Sequence, residues 1–330
     1  MAAREGVRPA WLVALGSLGV LFSLPLWASS YVVGLFQVIF GHVALASAWA
    51  LFSGLSGYFS LGSAAFFGVG TYAAFLLTPV VGWIPSIFLG TVMGGLVALA
   101  VGGVSLRLKG PYFAILTFGL SELIRYLVLG YEMRFSRTVG RVLILPVDVG
   151  GVYLAVLTVA VAAVGLSKWL YGSRYGRLLA AIGADEGRLE SLGFRTTGLK
   201  VAMFAVSGGI SAAVGAALAP RWTYIDPHIA FSPLISFQTV LMAMLGGTTR
   251  WWGPLVGALS LGLVSEFLSL RFRYLYLILL GLLLIALVRF WPRGLVEVEE
   301  RIRQWRTRRL PVEEERRAEL RPGWGAEPDP

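Results

Sequence analysis

The sequence predicts an all-α, polytopic membrane protein, a transmembrane helical bundle of about 8 to 10 spans with one polar segment between spans. Of the 330 residues, 57% are hydrophobic and only 14% are charged, and the mean hydropathy is +0.75. A soluble globular protein carries nearer a quarter charged residues, roughly 25%, because its surface must be solvated. Apolar runs of roughly 20 residues, the length that crosses a bilayer, recur along most of the chain.

Ten apolar segments are candidate spans, and they are taken here in chain order. They are residues 10–28, 31–52, 63–78, 84–105, 111–130, 149–171, 198–219, 233–247, 254–270 and 274–291. The segments 63–78 and 233–247 are short for a span, so each is expected to be either a short span or a broken or re-entrant helix. The first run also resembles a signal peptide, but it is long for one, and an uncleaved first span is favoured.

Basic residues orient the spans, because connections rich in arginine and lysine stay in the cytoplasm. The segment 172–200 and the arginine-rich stretch 289–309 are both basic, and an even number of candidate spans separates them. Both are therefore predicted to be cytoplasmic, as are both termini. The connection 131–148 falls on the outer side by the same count, although it contains Arg134, Arg137 and Arg141.

The chain is expected to divide into one transmembrane domain, residues 1–291, and a cytoplasmic tail, residues 292–330. Leu295, Val298, Ile302 and Trp305 recur at helical spacing among arginines, which predicts an amphipathic helix at the membrane interface. From Pro311 onward the sequence is charged and proline-containing, so that stretch is expected to be disordered.

The polar segment 172–200, GSRYGRLLAAIGADEGRLESLGFRTTGLK, is too charged to lie in hydrocarbon. Its apolar residues fall at helical spacing in two groups, one before Gly183 and one after Gly187. Asp185 is placed to cap the second group. We therefore predict two short amphipathic helices between two membrane spans.

Several chemistries are excluded by residue content. There is no cysteine, so disulfide and thiolate chemistry is absent, and two distant histidines make a protein metal site improbable. No lysine completes a phosphate-binding loop, and no hydrolase motif occurs. The net charge of +10 is concentrated at the ends of spans, which favours anionic lipid as a partner over nucleic acid. An enzyme is therefore a poor interpretation, and this chain should bind no cofactor.

Ionisable residues inside the predicted spans are candidates for a transport path. Glu122 and Arg125 are three residues apart on one helix face, so they either line a path or pair to lock helices together. Glu266 lacks a basic neighbour in its own span, so it is either a hydrogen-bonded carboxyl near a helix end or a substrate contact.

Two glycine-containing patterns allow close approach of the backbone. Gly90-x-x-x-Gly94 and Gly253-x-x-x-Gly257 predict tight helix contacts, within the chain rather than at a dimer seam. The stretch 54–62, GLSGYFSLG, has two interpretations. The favoured one is a plain turn between helices. The other is a break in which backbone amides, together with the side chains of Tyr58 and Ser60, face a ligand carboxylate.

Four stretches in order resemble the permease subunits of branched-chain amino acid ABC importers, specifically the longer M-type subunit. They are GYFSLGSAAFFGVGTYAAFLL (57–77), LKGPYFAILTFGLSELIR (108–125), the region 176–218 that begins GRLLAAIGADEGRLESLGF, and MLGGTTRWWGPLVGALSL (244–261). The resemblance implies location in the cytoplasmic (inner) membrane and four kinds of partner: a second permease subunit, two cytoplasmic ATPase subunits that bind ATP and Mg, an extracytoplasmic binding protein and the lipid bilayer.

The resemblance also implies site residues. The segment 172–200 becomes the coupling segment, with Arg177, Asp185, Glu186 and Arg188 orienting it in an ATPase groove and Leu178, Ile182, Leu189 and Leu192 making it rigid. The expected translocation path is lined by Tyr58, Ser60, Glu122, Arg125 and Glu266. The same family serves urea and short amides. A secondary transporter or channel working alone, coupled through the buried charges, and a membrane scaffold without transport activity are the other hypotheses.

Overall fold

The computed structural model describes residues 8–136, 139–142 and 147–272, together with 275, 278–279, 281–282 and 285–286. Two residues each form the strands β1 (Arg141–Val142) and β2 (Tyr224–Ile225). The α-helices in this part of the chain are α1 (Arg8–Trp27), α2 (Ser30–Trp49), α3 (Ser63–Val81), α4 (Trp83–Ser105), α5 (Pro111–Tyr131), α6 (Val149–Gly172), α7 (Arg174–Ser191), α8 (Thr196–Leu218), α9 (Pro227–Ala230), α10 (Pro233–Gly246) and α11 (Gly253–Arg271).

Local sequence explains where several helices begin. Asp148 Oδ2 accepts a hydrogen bond from Gly150 N at the start of α6, and Ser173 Oγ accepts one from Gly176 N at the start of α7. Such side-chain caps satisfy amides that have no partner in the first helical turn. Two helices are extended by wide π-turns, at Ala50–Gly54 after α2 and at Glu132–Ser136 after α5.

The helix α8 lies at the centre of the bundle, where it packs against α3, α4 and α2. Small residues allow this contact: a Cβ on Gly94 would lie 2.2 Å from Ala212 Cβ, and a Cβ on Gly215 would lie 2.1 Å from Phe67 O. A Cβ on Gly257 of α11 would lie 2.0 Å from Met242 O of α10. Both predicted glycine contacts therefore occur within the chain.

The connections between helices gather at two ends of the bundle. At the α7 end, Tyr58, Lys109 and α7 meet, and Tyr171 Oη donates a hydrogen bond of 2.7 Å to Thr248 O. At the opposite end, which we call the β-pair end, β1 and β2 pair antiparallel with Arg141 opposite Ile225. Connections that lie at the same end of the bundle are the ones that the count of spans predicted to lie on the same side of the membrane.

Eight helical stretches within the described residues are long and apolar enough to cross a membrane, and α1 contributes a shorter apolar helix over Gly16–Trp27. The described chain is therefore the all-α polytopic bundle that the composition predicted. The segment 63–78 belongs to one continuous helix, α3, which contains Pro79 near its end. The segment 233–247 is preceded by the single turn α9, and the break falls before Pro233. The tenth candidate span and the tail 292–330 lie largely or wholly outside the described residues.

Candidate functional site

The helix α7 consists of two short helices that meet at Asp185. The backbone of Asp185 is extended, with φ −161° and ψ 91°, inside an otherwise helical segment. Its Oδ1 accepts a hydrogen bond of 3.0 Å from Arg188 N, so the side chain caps the second half. The predicted pair of amphipathic helices and the capping role of Asp185 are both confirmed.

One face of α7 packs against the spans. Leu179 is fully buried and Ile182 is 5% exposed, in a cluster with Phe52, Phe113 and Phe204. These aromatic rings belong to the end of α2, to α5 and to α8, so α7 contacts three separate parts of the bundle. Burial of the two aliphatic side chains attaches α7 to these spans through the hydrophobic effect.

The other leucines predicted to hold α7 are less buried. Leu178 and Leu189 are half-buried, whereas Leu192 is 70% exposed and Phe194 is 52% exposed. Leu192 therefore does not pack against the spans of this chain, and its role in the coupling segment stays a prediction. It lies beyond the last turn of α7, where the chain turns back toward α8 and presents its apolar side chains outward.

Two glycines allow α7 to approach the connection 55–62 more closely than other residues would. A Cβ on Gly183 would lie 2.6 Å from Leu55 O, which is backbone and cannot move aside cheaply. Gly57 has a positive φ of 72°, a conformation that favours glycine, and its Cβ position faces Gly183. Gly187, by contrast, has only Asp185 Oδ1 nearby, at 3.7 Å. Gly183 is thus a contact residue rather than a simple interruption of the helix.

Glu186 is the centre of a buried polar cluster. Tyr58 Oη donates a 2.6 Å hydrogen bond to Glu186 Oε2, and Thr196 Oγ1 lies 2.8 Å from Glu186 Oε1. Lys200 Nζ donates to Glu186 Oε1, donates to Tyr58 Oη at 3.0 Å and lies over the Tyr58 ring. The exposed Lys109 adds an ion pair at 3.2 Å. We call these five residues the Glu186 cluster.

The cluster keeps the Glu186 carboxylate ionised. Burial acts to raise the pKa of Glu186, but hydrogen bonds from Lys200, Tyr58 and Thr196 outweigh it and lower the pKa to about 2. Burial and the hydrogen bond to Glu186 raise the pKa of Tyr58 well above its usual range, so the phenol remains a donor. The same carboxylate raises the pKa of Lys109.

The direction of Glu186 corrects one predicted role. Glu186 is 8% exposed and faces the spans, so its side chain is turned away from the surface on which an outward contact was expected. The Arg188 side chain is 81% exposed and that of Asp185 is 53% exposed. Arg177 is also exposed, with its Nη1 donating to Gly172 O at 3.1 Å. Of the four charges predicted to orient α7, the outward ones are therefore Arg177, Asp185 and Arg188.

The connection 55–62 uses its amides internally. Gly57 N donates to Ser53 O, Tyr58 N to Ser56 Oγ, and Ser60 N to Ser53 Oγ. Leu61 N donates to Thr117 Oγ1 at 3.0 Å. These amides are not free for a ligand carboxylate, which supports the plain-turn interpretation of this stretch. The Tyr58 hydroxyl is engaged in the Glu186 cluster, and Ser60 is 4% exposed.

The ionisable residues predicted in the spans are separated in space. Arg125 pairs with Glu122 within α5 and lies 4.9 Å from the centre of the Tyr126 ring. Because both charges belong to α5, their ion pair does not lock two helices together. Glu266 in α11 accepts a 2.7 Å hydrogen bond from Tyr31 Oη of α2. Glu266 therefore has the hydrogen bond expected of a carboxyl near a helix end. A role for these three residues in a path stays a prediction.

Sequence reasoning missed Lys109, Thr196 and Lys200 as functional residues. The sequence contains a weak indication for two of them. Thr196 and Lys200 are four residues apart at the start of an apolar span, so they share one helix face. A lysine at such a position needs a buried acidic partner. Among the residues that the structure describes, no group of three or more histidine, cysteine or acidic side chains is placed to hold a metal ion.

Comparison with known proteins identifies relatives of this chain. It is 25% identical to the high-affinity branched-chain amino acid transport system permease protein LivM of Escherichia coli, over 87% of this chain and 74% of that protein. It is 27% identical to LivM of Salmonella typhimurium, over 74% of this chain and 64% of that protein. The ribose import permease protein RbsC of Haemophilus influenzae is 32% identical over 29% of this chain and 31% of its own length. No solved structure gives a significant match.

A family model extends the similarity over most of the chain. The model for the permease component of the branched-chain amino acid transport system matches residues 31–288. That range begins at α2, includes the Glu186 cluster and α7, and extends beyond α11. The chain therefore belongs to the family of permease components of branched-chain amino acid transport systems.

Proposed function

We propose that this chain is a membrane permease subunit of an ATP-binding cassette importer that translocates branched-chain or other small neutral amino acids. An extracytoplasmic binding protein delivers the solute, and separate ATPase subunits bind ATP and Mg and drive transport. Family membership and the LivM relatives support this assignment. The lack of a phosphate-binding loop in the chain fits a subunit that depends on ATPases supplied by partners.

The observation that carries the proposal is the two-sided character of α7. Its inner side is fixed to α2, α5 and α8 through Leu179, Ile182 and the Glu186 cluster. Its outer side presents Arg177, Asp185 and Arg188, with Leu192 and Phe194 exposed beyond its end. A segment built this way receives a push from a soluble partner and passes it to the spans, so we assign it as the coupling segment.

The proposal includes an orientation. The α7 end faces the cytoplasm of a cell with an inner membrane, together with both termini, and the β-pair end faces the binding protein. Basic residues at the α7 end, among them Arg174, Arg177 and Lys109, support this direction. Many apolar side chains on the outside of α4 and α5, such as Phe88, Ile115 and Leu127, are exposed in the single chain and suit contact with lipid or with a second permease subunit.

The test of coupling is a charge reversal on the outer side of α7. The complex is produced with its second permease and both ATPases, and Arg177→Glu/Arg188→Glu is compared with the matched variant Arg134→Glu at the β-pair end. We expect copurification of the ATPases and ATP-driven uptake to fall at least ten-fold in the α7 variant alone. Thermal stability should be nearly unchanged, because exposed charges contribute only about 0.5 kcal/mol. Unchanged ATPase recruitment and uptake would refute the coupling role.

A transporter working alone makes the opposite prediction for the purified chain. Its motivation is the set of charges Glu122 and Arg125 on α5 and Glu266 on α11. Flux of solute into liposomes that contain the chain without ATPases, driven by a proton gradient, would contradict the importer assignment. Competition with urea and short amides in the ATP-driven assay tests the other solutes of the family.

A further inference from the structure

A shallow cavity of about 490 Å³ lies on the outside of the bundle, where α6 ends and α7 begins. Its lining consists of Gly165, Lys168, Trp169, Gly172 and Ser173. The two glycines leave this space open, because a Cβ at either position would meet no atom within 4 Å. Lys168 and Trp169 are both exposed, so the cavity has one cationic and one aromatic side chain available to a ligand.

Further basic and aromatic side chains surround this cavity. Lys168 Nζ lies 5.4 Å from the centre of the Trp251 ring, and the Arg174 guanidinium lies 4.9 Å from the centre of the Tyr175 ring. The ring centroids of Trp169 and Tyr175 are 6.4 Å apart. These contacts bring together α6, α7 and the connection between α10 and α11. We call Lys168, Trp169, Arg174, Tyr175 and Trp251 the α6 patch.

The α6 patch carries positive charge without acidic partners. Neither Lys168 nor Arg174 forms an ion pair with a carboxylate in the part of the chain that the structure describes. The sequence ranges 149–184 and 227–265, which contain every residue of the patch, include no aspartate and no glutamate. At the β-pair end, by contrast, Arg141 pairs with a glutamate. Two neighbouring cations without an acidic partner favour an anionic ligand.

The position of the α6 patch along its helix corresponds to a membrane surface. The helix α6 is long and apolar enough to cross a membrane, and Lys168 and Trp169 lie near its end at Gly172. Tryptophan and tyrosine are enriched at the level of lipid headgroups, and a lysine at a helix end extends its amine toward them. The anionic group nearest to the cavity is therefore the phosphate of a phospholipid.

The carbonyl groups at the end of α6, which would repel a phosphate, are occupied by donors from the chain. Gly172 O accepts a 3.1 Å hydrogen bond from Arg177 Nη1. Leu170 O accepts hydrogen bonds from Ser173 N at 3.0 Å and from Ser173 Oγ at 2.9 Å. The negative partial charge that the last carbonyls of a helix carry is thereby reduced beside Lys168.

We propose that the α6 patch binds an anionic phospholipid. The phosphate lies between Lys168 Nζ and the Arg174 guanidinium, and the glycerol and the upper acyl chain occupy the cavity over Gly165, against the Trp169 ring. A lipid bound there contacts the first residue of α7 and attaches the start of α7 to the membrane surface. This site goes beyond the proposed function, because it requires only that α6 end at a membrane surface.

The experiment titrates the complete complex in detergent with phosphatidylglycerol or phosphatidylcholine of identical acyl chains, and native mass spectrometry measures the bound lipid. We expect Lys168→Gln/Arg174→Gln to lower the affinity for phosphatidylglycerol at least ten-fold and to leave that for phosphatidylcholine unchanged. Each basic residue beside an anionic headgroup contributes about five-fold to affinity. The matched control is Arg107→Gln/Arg195→Gln, which removes two exposed charges outside the lining and should keep both affinities within two-fold.

A second pair of variants tests the cavity itself. Gly165→Leu fills the cavity with a side chain whose Cβ meets no protein atom, and leucine favours helix over glycine. Gly103→Leu adds the same side chain to α4 at an exposed position that is equally open and lies outside the lining. We expect Gly165→Leu to weaken phosphatidylglycerol binding at least five-fold and Gly103→Leu to leave it within two-fold. If size-exclusion chromatography shows that the double variant does not assemble, Gly165→Leu decides the matter.

A photo-crosslinking amino acid in place of Trp169 identifies the occupant of the α6 patch in proteoliposomes. A phospholipid adduct supports the proposal, whereas an adduct with an ATPase subunit alone would show that the patch is a protein contact. Equal affinities of the native complex for the two lipids would also overturn the lipid site, although the chain could still import amino acids. If the lipid results hold and the complex imports none, only the proposed function fails.

Discussion

Two glutamates, Glu186 at the α7 end and Glu132 at the β-pair end, are both buried, but their carboxylates have different hydrogen-bond partners. Glu186 receives hydrogen bonds from Tyr58 and Lys200, and its pKa is lowered to about 2. Glu132 receives one from Gly140 N through Oε2, and its other oxygen makes none of good geometry within the described residues. Both have a basic residue nearby, Lys200 at 3% side-chain exposure and Arg141 at 33%.

The difference is one of degree. Both oxygens of Glu186 accept hydrogen bonds, whereas Glu132 Oε1 has the poorly aligned ion pair with Arg141 Nε at 3.4 Å. A well-matched buried carboxylate holds elements together more firmly than a poorly matched one. We therefore expect changes at the Glu186 cluster to cost more stability than changes around Glu132.

The largest expected effect is on stability at the α7 end. Lys200→Met leaves the Glu186 charge buried with fewer partners, and removal of one member of a buried ion pair costs about 3–5 kcal/mol. The measurement is the unfolding free energy or the apparent unfolding temperature of the complex in detergent. Lys168→Met is the matched control, because Lys168 is exposed over the Trp251 ring. Its cost should stay near or below about 1 kcal/mol.

Two further variants sharpen this result. The double variant Glu186→Gln/Lys200→Met should be more stable than Lys200→Met alone, since no uncompensated charge is left buried. Arg141→Met at the β-pair end should cost less than Lys200→Met, because Arg141 is partly exposed and its carboxylate partner is already less well matched. Equal losses for Lys200→Met and Lys168→Met would show that the Glu186 cluster does not stabilise the fold.

The second prediction concerns pH. The pKa of Glu186 falls from its usual 4.5 to about 2 in the folded state, so the unfolded chain binds the proton more readily. The stabilisation is therefore complete above pH 4.5 and is lost as the pH falls toward 2, by roughly 3 kcal/mol in total. Thermal unfolding at pH 7 and pH 3 should show a smaller drop for Glu186→Gln than for the native chain. An equal drop would mean that other groups govern acid sensitivity.

The third and smallest prediction separates the two glycines of α7. Gly183→Val places a Cβ 2.6 Å from Leu55 O and forces α7 away from the connection 55–62, at a cost of about 1–3 kcal/mol. Gly187→Ala meets only Asp185 Oδ1 at 3.7 Å, and alanine favours helix, so this control should be neutral or stabilising. ATP-driven uptake and apparent unfolding temperature are the measurements. A neutral Gly183→Val would show that the close approach is unimportant.

Much of the fold was predictable because its signals are local. The length of the apolar runs predicted the spans. The polar composition of residues 172–200 predicted two short helices, with Asp185 after Gly183 as the cap of the second. The sequence left open whether 63–78 is a short span or a broken helix, and α3 is continuous over Ser63–Val81. The Glu186 cluster was not predictable as a unit, because Tyr58, Lys109 and Lys200 are far apart in sequence. Which face of α7 turns inward is decided by packing against those distant segments.

The break at Asp185 divides α7 into two halves that are both attached to the connection 55–62. The first half contacts it where Gly183 approaches Leu55 O, and the second half where Tyr58 Oη donates to Glu186, which also pairs with Lys200 of α8. Arg177 and Arg188 lie on different halves. Under the coupling role proposed above, a partner that docks on both arginines sets the angle at Asp185, and the connection 55–62 is the first part of the membrane domain to receive that change.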